Sequence, residues 1–273
     1  MVRALWSGAS GMMAQQTNVD TIANNLANVN TVGYKTEQNE FKSLLYQEIA
    51  TRTTTANGVQ KPGYAQVGLG VRNSAITSEF SQGAFQTSES PTSFAISGEG
   101  FFAVRNDGKT YYTRNGDFHF SIGTGNQMVL CTSDGLPVLS DEGQPIMLPQ
   151  DEYIVSKITV TSDGQLCYPD ANNNAQPIDG AKIGLYQFQN PSGLYKVGST
   201  LFRTTESSGL PMNEAENDEL TKSELYQGYL ESSNVQVADE MVNLIIAQRA
   251  YELNSKVITT ADSMLQVANE LKR

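Results

Sequence analysis

His119 is the only histidine in the chain, and hydrolases of the Ser-His-Asp or Cys-His kind need an imidazole as base. It stands in Phe118-His119-Phe120, where strand alternation turns it away from two aromatic neighbours and toward solvent. A zinc site would need further soft donors close by, and the neighbouring sequence supplies none. Cys131 and Cys167 form no Cys-x-x-Cys pair, although a single bridge between them remains possible. Asp170, Asn172 and Asn174 imitate the first three ligands of a calcium loop, but Ala175 stands where glycine is required and Ala181 where the bidentate glutamate belongs. Gly98-Glu99-Gly100, with Ala103 three residues on, half-matches a dinucleotide fingerprint. Phe101, Phe102 and Val104 then continue as a strand, so no helix N-terminus is available for a pyrophosphate and the segment reads as a turn. The pairs Asp141-Glu142, Asp151-Glu152 and Asp239-Glu240 are adjacent in sequence, so their side chains diverge and read as solvated surface. These residues predict no catalytic, cofactor or metal site.

The elements around them are more informative. From Ala4 to Val29 the pattern is helical: Leu5, Met12, Val19 and Leu26 recur every seven residues, and Ile22 and Val29 fill the intermediate position. At the other end Val237, Leu244, Tyr251, Ile258 and Leu265 hold a second seven-residue repeat, with Ala247, Ala261 and Ala268 three residues after its members. Ser233, with Gln236 as a capping-box partner, predicts the start of this helix, which then runs to Leu271 without Gly or Pro. The period of seven predicts that the two ends pair as a coiled coil, with the alanines allowing close approach. Ala250, Val257, Met264 and Leu271 widen the apolar stripe beyond what one partner helix covers, which predicts further subunits and termini that are loose in the monomer.

Between the helices lie short β-rich runs: Phe94 to Ser97, Phe101 to Asn106, Thr110 to Arg114, Phe118 to Ile122 and Met128 to Cys131. Asp107-Gly108, Asn115-Gly116, Asp134-Gly135 and Asp163-Gly164 are dipeptides suited to tight hairpin turns. The fold class expected is therefore α+β. Residues 1–30 and 234–273 form the helical part, 31–67 and 211–233 connect, and 68–210 are antiparallel β. Thr51 to Gln66 has no period and reads as an extended arm within 46–67.

Length and charge narrow the function classes. The chain has 273 residues, enough for one large domain or two modest ones. Against 18 Lys and Arg stand 29 Asp and Glu, a net charge of −11, and no basic patch invites nucleic acid or anionic lipid. No stretch approaches the length of apolar chain needed to span a bilayer, so no direct membrane insertion is expected. The N-terminus lacks the apolar core of a cleaved secretory signal.

Ala23-Asn24-Asn25-Leu26-Ala27-Asn28, followed by Thr31-Val32-Gly33-Tyr34-Lys35, resembles the bacterial flagellar rod and hook proteins. The likeness continues through Gly98-Glu99-Gly100-Phe101-Phe102, Tyr112-Thr113-Arg114-Asn115-Gly116, Gly193-Leu194-Tyr195 and Gly228-Tyr229-Leu230-Glu231-Ser232-Ser233-Asn234-Val235, and ends in Gln248-Arg249-Ala250-Tyr251-Glu252. Chain length and the insertion after the first helix bring it nearest to the distal rod members, with a proximal rod or hook-type protein as the alternative. The resemblance implies paired terminal helices forming an inner tube, with a β domain outside it. It also implies a helical homopolymer in the flagellar basal body, crossing the periplasm and exported by the type III apparatus without a cleaved signal peptide. Proximal rod proteins, the hook protein and the surrounding ring proteins are its implied neighbours. Its implied role is to transmit torque to the hook. A secreted β-rich binding module, trimerised by its helices, is the competing class.

Overall fold

A computed structural model describes residues 2–49, 66–123, 126–170, 174–198, 200–217 and 220–271. The predicted arm from Thr51 to Gln66 lies outside them except for Gln66. The fold class is α+β, with a helix at each end and a strand-rich middle. The chain divides into two compact units, one of Met1–Ala27, Glu37–Ser78 and Gln236–Arg273, the other of Asn28–Thr36 and Glu79–Val235.

In the first unit, α1 (Val2–Ala27) packs antiparallel against α2 (Val237–Glu270), so that Gly8 meets Ile258, Gly11 meets Asn254 and Asn25 meets Glu240. Glycine inside a helix costs about 1 kcal/mol relative to alanine. At Gly8 and Gly11 the absence of a side chain permits close approach, since a Cβ there would lie 3.0 Å from Ile258 Cγ1 and 2.9 Å from Asn254 Nδ2. The 34 residues of α2 span about 51 Å at 1.5 Å per residue. The helix begins at Val237 rather than at Ser233, and Gln236 caps it without a side-chain bond. The predicted capping box does not form because Ser233 Oγ accepts the amide of Val235, at 3.3 Å, and the Asn234 side chain is engaged elsewhere. Likewise α1 ends at Ala27, which leaves Val29 beyond the helix.

The remaining elements of this unit are β1 (Glu37–Ser43), β2 (Tyr46–Glu48), β3 (Gln66–Gly68) and β4 (Val71–Ser78). β1 pairs with β4 through a bulge at Glu40/Phe41, and β2 with β3, both antiparallel. Gly70, at φ +117°, brings the turn before β4 onto Ser10 of α1, where any Cβ would strike the serine hydroxyl.

The second unit is antiparallel throughout its paired strands. Its strands are β5 (Phe85–Thr87), β6 (Phe94–Ser97), β7 (Phe101–Asn106), β8 (Lys109–Thr113), β9 (Phe118–Ile122), β10 (Gln127–Thr132) and β11 (Met147–Pro149). There follow β12 (Thr159–Val160), β13 (Gln165–Pro169), β14 (Ala175–Lys182), β15 (Leu185–Gln187), β16 (Tyr195–Gly198), β17 (Leu201–Arg203), β18 (Met212–Asn213), β19 (Glu224–Gln227) and β20 (Tyr229–Glu231). The largest sheet runs β16-β17-β8-β7-β15-β18. One face of it buries Phe102 and Val104 against Phe118, Leu130, Leu148 and Ile183; the other buries Phe101, Ala103 and Tyr112 against Phe188 and Phe202. Period-2 alternation along β7 serves both cores at once.

Asp107-Gly108 joins β7 to β8 with both residues at positive φ, as a tight hairpin requires. Gly135 and Gly164 also turn with positive φ. Asn115-Gly116 departs from expectation: neither residue has positive φ, β9 pairs with β10, and β8 pairs with β7 and β17. Gly116 is needed there because the Phe94 carbonyl occupies the position a Cβ would take. Cys131, on β10, and Cys167, on β13, are free and buried, so the possible bridge is not formed.

Candidate functional site: apolar helix faces and a buried ion cluster

Each unit carries one arrangement that its own packing does not consume or that sequence-distant residues build together. In the helical unit this is uncovered apolar surface. Of the residues predicted to form the interface, Ile22 is buried, and Leu5, Met12, Val19, Leu26, Leu244, Ile258 and Leu265 are half-buried, as is Val29 beyond the helix end. Val237 and Tyr251 are exposed.

The line of α2 that faces α1 most closely is Glu240, Ala247, Asn254 and Ala261, a seven-residue series three residues after the Val237 series, and it includes Ala247 and Ala261, two of the alanines expected to allow close approach. Its other two members, Glu240 and Asn254, are polar, which is why apolar periodicity does not mark them. Around it Met241, Val242, Ile245, Ile246, Leu253, Val257, Met264 and Val267 stand open, Ile246 at 60% exposure. On α1 Trp6 and Met13 are open at 70% and 65%. A helix that is apolar on most of its circumference normally lies inside a larger body.

The Asn24-Asn25 motif sits at the end of this seam. Asn25 is buried, and its amide closes on the backbone of Glu37: Nδ2 donates to the Glu37 carbonyl at 2.8 Å and Oδ1 accepts the Glu37 amide at 2.9 Å. The same Nδ2 donates to Glu240 Oε1 at 3.3 Å. Burial raises the Glu240 carboxyl above its ordinary pKa, the Asn25 hydrogen bond opposes this, and Asp239 adds to it. Asn24 Nδ2 donates to Glu37 Oε2. Ala23 and Ala27 are exposed on α1, while Arg249 is exposed on α2 and pairs with Glu252 at 2.8 Å.

In the β unit the site is a buried ion cluster. Glu231 is fully enclosed, and its Oε1 accepts Lys35 Nζ at 2.6 Å and the Gly83 amide at 3.0 Å, while Arg114 Nη1 stands 3.4 Å from Oε2. Lys35, at 1% exposure, also donates to the Ser81 carbonyl, and Arg114 donates to the Gly98 carbonyl and stacks over Phe101. Burial pulls the Lys35 ammonium and the Arg114 guanidinium below their ordinary pKa values, and Glu231 pushes both back up.

Neighbouring residues hold the segments that carry these charges. Gly33, at φ +69°, donates to the Glu231 carbonyl and lies on the backbone of Arg114 and Asn115, with a would-be Cβ 2.6 Å from the Asn115 nitrogen. Asn28 Oδ1 accepts the Thr31 hydroxyl, and the Tyr34 ring receives Lys196 at 5.6 Å. Asn234 Oδ1 accepts the Thr36 amide and hydroxyl, while its Nδ2 donates to Glu79 and Ser81. Three sequence motifs, around Lys35, Arg114 and Glu231, thus converge on one charge cluster. All three residues stand inside motifs quoted from the sequence, but their meeting was not legible there, because no local pattern joins residues 196 and 117 positions apart.

The Gly98-Glu99-Gly100 segment is a turn. Its glycines make room for Ser223, whose hydroxyl accepts the Gly100 amide and donates to buried Glu214. His119 is exposed beside Asp117, and among the described residues no three His, Cys, Asp or Glu side chains gather as metal ligands.

Three family patterns match the chain: "Flagella basal body rod protein" over residues 5–35, "Flagellar hook protein FlgE/F/G D1 domain" over 95–168, and "Flagellar basal body rod FlgEFG protein C-terminal" over 226–271. The first covers the Asn25 and Lys35 segments, the second includes Arg114, and the third includes Glu231 and all of α2. The chain is 44% identical to flagellar basal-body rod protein FlgG of Borreliella burgdorferi and 38% identical to that of Bacillus subtilis, each match covering all of both chains. It is 40% identical to the FlgG protein of Caulobacter vibrioides, over 99% of this chain and 100% of that one. With identity at this level sustained from end to end, the chain belongs to the FlgG family of flagellar basal-body rod proteins.

Proposed function

We propose that the chain is a structural subunit of the flagellar basal-body distal rod. Copies polymerise into a helical tube that carries motor torque to the hook and leaves an export channel along its axis. The observation that carries this reading is the uncovered apolar surface on α1 and α2, centred on Ile245, Ile246 and Leu253. Each such side chain gains roughly 1.5–3 kcal/mol when fully buried, so a set of them gives neighbouring copies a strong reason to associate. Contacts between unlike faces, repeated without closing a ring, build a filament.

Ordering the terminal residues costs about 1–2 kcal/mol each in backbone entropy, which favours helices that consolidate only when several neighbours bury them together. The proposed neighbours are other copies, proximal rod proteins, the hook protein and the encircling ring proteins, reached through the flagellar export apparatus without a cleaved signal peptide. The Val237, Leu244, Tyr251, Ile258 and Leu265 line, with Leu5, Met12, Val19, Ile22 and Leu26, contributes both to the helix pair and to contacts between copies.

The test is Ile246→Asp, which adds a charge to the bare face without touching the β unit. Basal bodies isolated from cells carrying it are expected to lack rods when viewed by electron microscopy, while the purified subunit keeps its β fold. Normal rods and motility would sink the reading.

A further inference from the structure

The chain crosses between its two units at four peptide bonds, those between residues 27 and 28, 36 and 37, 78 and 79, and 235 and 236. Residues beside the last three share one carboxamide. Asn234 Oδ1 accepts the Thr36 amide at 2.8 Å and the Thr36 hydroxyl at 2.7 Å, while Nδ2 donates to the Glu79 carbonyl at 2.9 Å and to Ser81 Oγ at 2.8 Å. A carboxamide has two donor hydrogens and an oxygen with two lone pairs, so this one is fully used. The Glu79 amide donates to the Thr36 carbonyl at 2.9 Å, and Lys35 Nζ donates to the Ser81 carbonyl at 2.7 Å. All of these bonds lie inside the β unit. On the other side of the 36–37 bond, inside the helical unit, Asn25 holds Glu37 in the same manner, by its amide at 2.9 Å and its carbonyl at 2.8 Å.

We propose that Asn25 and Asn234 are the two grips of a stiff joint at the 36–37 bond, through which twist passes along the chain from one unit to the other. A peptide group is planar, so a chain turns only about the φ and ψ of each residue. At this crossing those torsions belong to Thr36 and Glu37, and every plane that bounds them is anchored. The N–H of the plane before Thr36 is held by Asn234, and the C=O of the plane after Glu37 by Asn25. The plane between them is held at its C=O by the Glu79 amide and at its N–H by Asn25. Asparagine suits both places for one reason: its short side chain carries donor and acceptor together and clamps backbone at two points. Aspartate lacks the donor, and glutamine puts the same amide on a longer, freer stem. Both asparagines are thus positioning residues, whose task is to set the path of the backbone. The inference rests on the polymer reading above, since only a subunit built into a shaft has twist to pass on.

The test begins with hydrogen exchange on the purified full chain. Asn234→Ala should speed exchange of the Thr36 amide by up to roughly tenfold, the scale of one hydrogen bond, and leave the amides of Phe101–Asn106 unchanged. Asn234→Asp keeps the acceptor and loses the donor, so it should leave Thr36 protected. Equal acceleration in Phe101–Asn106 would mean that Asn234 only stabilises the β unit, and an unchanged Thr36 rate would mean that it grips nothing; either result overturns the joint. The second reading is mechanical. In cells carrying Asn234→Ala, electron microscopy should show rods in normal number, while a bead fixed to a de-energised motor with a cross-linked hook should show angular fluctuations several-fold broader than with the unaltered chain. Normal rods with unchanged fluctuations would overturn the joint and leave the polymer reading standing. If Asn234→Ala gave no rods, Asn234→Asp takes its place, with a smaller broadening expected from the lost bonds to Glu79 and Ser81, and unchanged fluctuations would again overturn the joint. Absence of the unaltered chain from purified rods would remove the polymer reading and the torque role with it, whatever the exchange rates.

Discussion

In the unit built from Asn28–Thr36 and Glu79–Val235, aromatic and aliphatic side chains point inward and are enclosed: Phe101, Phe102, Phe118 and Leu130 have no exposed surface. In the unit built around the two helices the same residue types stand open along most of α2, and the buried positions of α2 are Glu240 and two alanines. The first unit satisfies its apolar surface with its own chain. The second has more apolar surface than its own elements can cover. Independent folding and dependence on neighbours are therefore allotted to different stretches of one sequence.

The largest expected effect comes from opening the charge cluster. Glu231→Ala leaves Lys35 and Arg114 buried without their counter-charge, and removing one partner of a buried ion group costs about 3–5 kcal/mol. Urea denaturation of the monomer, followed on the β unit, should show that loss. By contrast Ile246→Asp, on the open face of α2, should change monomer stability by no more than about 0.5 kcal/mol. Comparable losses from both substitutions would mean that the two units do not differ in the way proposed.

Gly33→Ala should follow in size, at about 2–4 kcal/mol. Its φ of +69° strains any residue with a Cβ, and the backbone of Arg114 and Asn115 leaves that Cβ no room. The same measurement checks it, and an unchanged midpoint would mean the turn can shift as a whole.

How much of this was legible depends on how local the cause is. The strands Phe94–Ser97, Phe101–Asn106 and Phe118–Ile122 follow from β-branched and aromatic runs bounded by turn residues, because strand formation is written within a few neighbours. The existence of α1 and α2 follows in the same way from their periodicity. The close seam follows only in part: Ala247 and Ala261 belong to the alanine series that the spacing marks for close approach, whereas Glu240 and Asn254 are polar and their fit depends on Gly11 and Asn25 in another part of the chain. The Asn115-Gly116 hairpin failed for a similar reason: the residue types permit a tight turn, but Phe94 decides what Gly116 is for. The ion cluster was half-legible, with Lys35, Arg114 and Glu231 each inside a motif and nothing in the sequence to say that they meet.

A smaller effect separates the units by pH. Burial, with Tyr186 adding to it, raises the Tyr112 phenol from 10.0 to about 12. An acid whose folded pKa is raised contributes stability that is intact below its unfolded pKa and is lost as pH rises through the folded one, here between about 10 and 12. The β unit should lose roughly 2 kcal/mol across that window from this group. Tyr112→Phe should flatten that part of the alkaline unfolding curve, and an unchanged slope would mean that the phenol reaches solvent.

The smallest expected effect is in the helical unit, where Glu240 is the charge set into the seam. Burial raises its pKa, against the Asn25 hydrogen bond. By the same sign rule, the helix pair is most stable with Glu240 protonated and loses that part of its stability as pH rises from 4.5 through the raised folded value. At neutral pH the charged carboxylate is thus a standing cost to the pair. Glu240→Gln removes the charge and keeps an oxygen that can accept from Asn25. The gain should be no more than about 1 kcal/mol, the scale of a single hydrogen-bonding adjustment. It should be visible as increased helicity of the monomer at neutral pH by circular dichroism, together with a loss of the increase that acidification otherwise brings. The β unit's unfolding midpoint should not move. If Glu240→Gln lowered helicity instead, the ionised Glu240–Asn25 contact would be holding the helices together, and α1 and α2 would depend less on neighbouring copies than their bare apolar faces require.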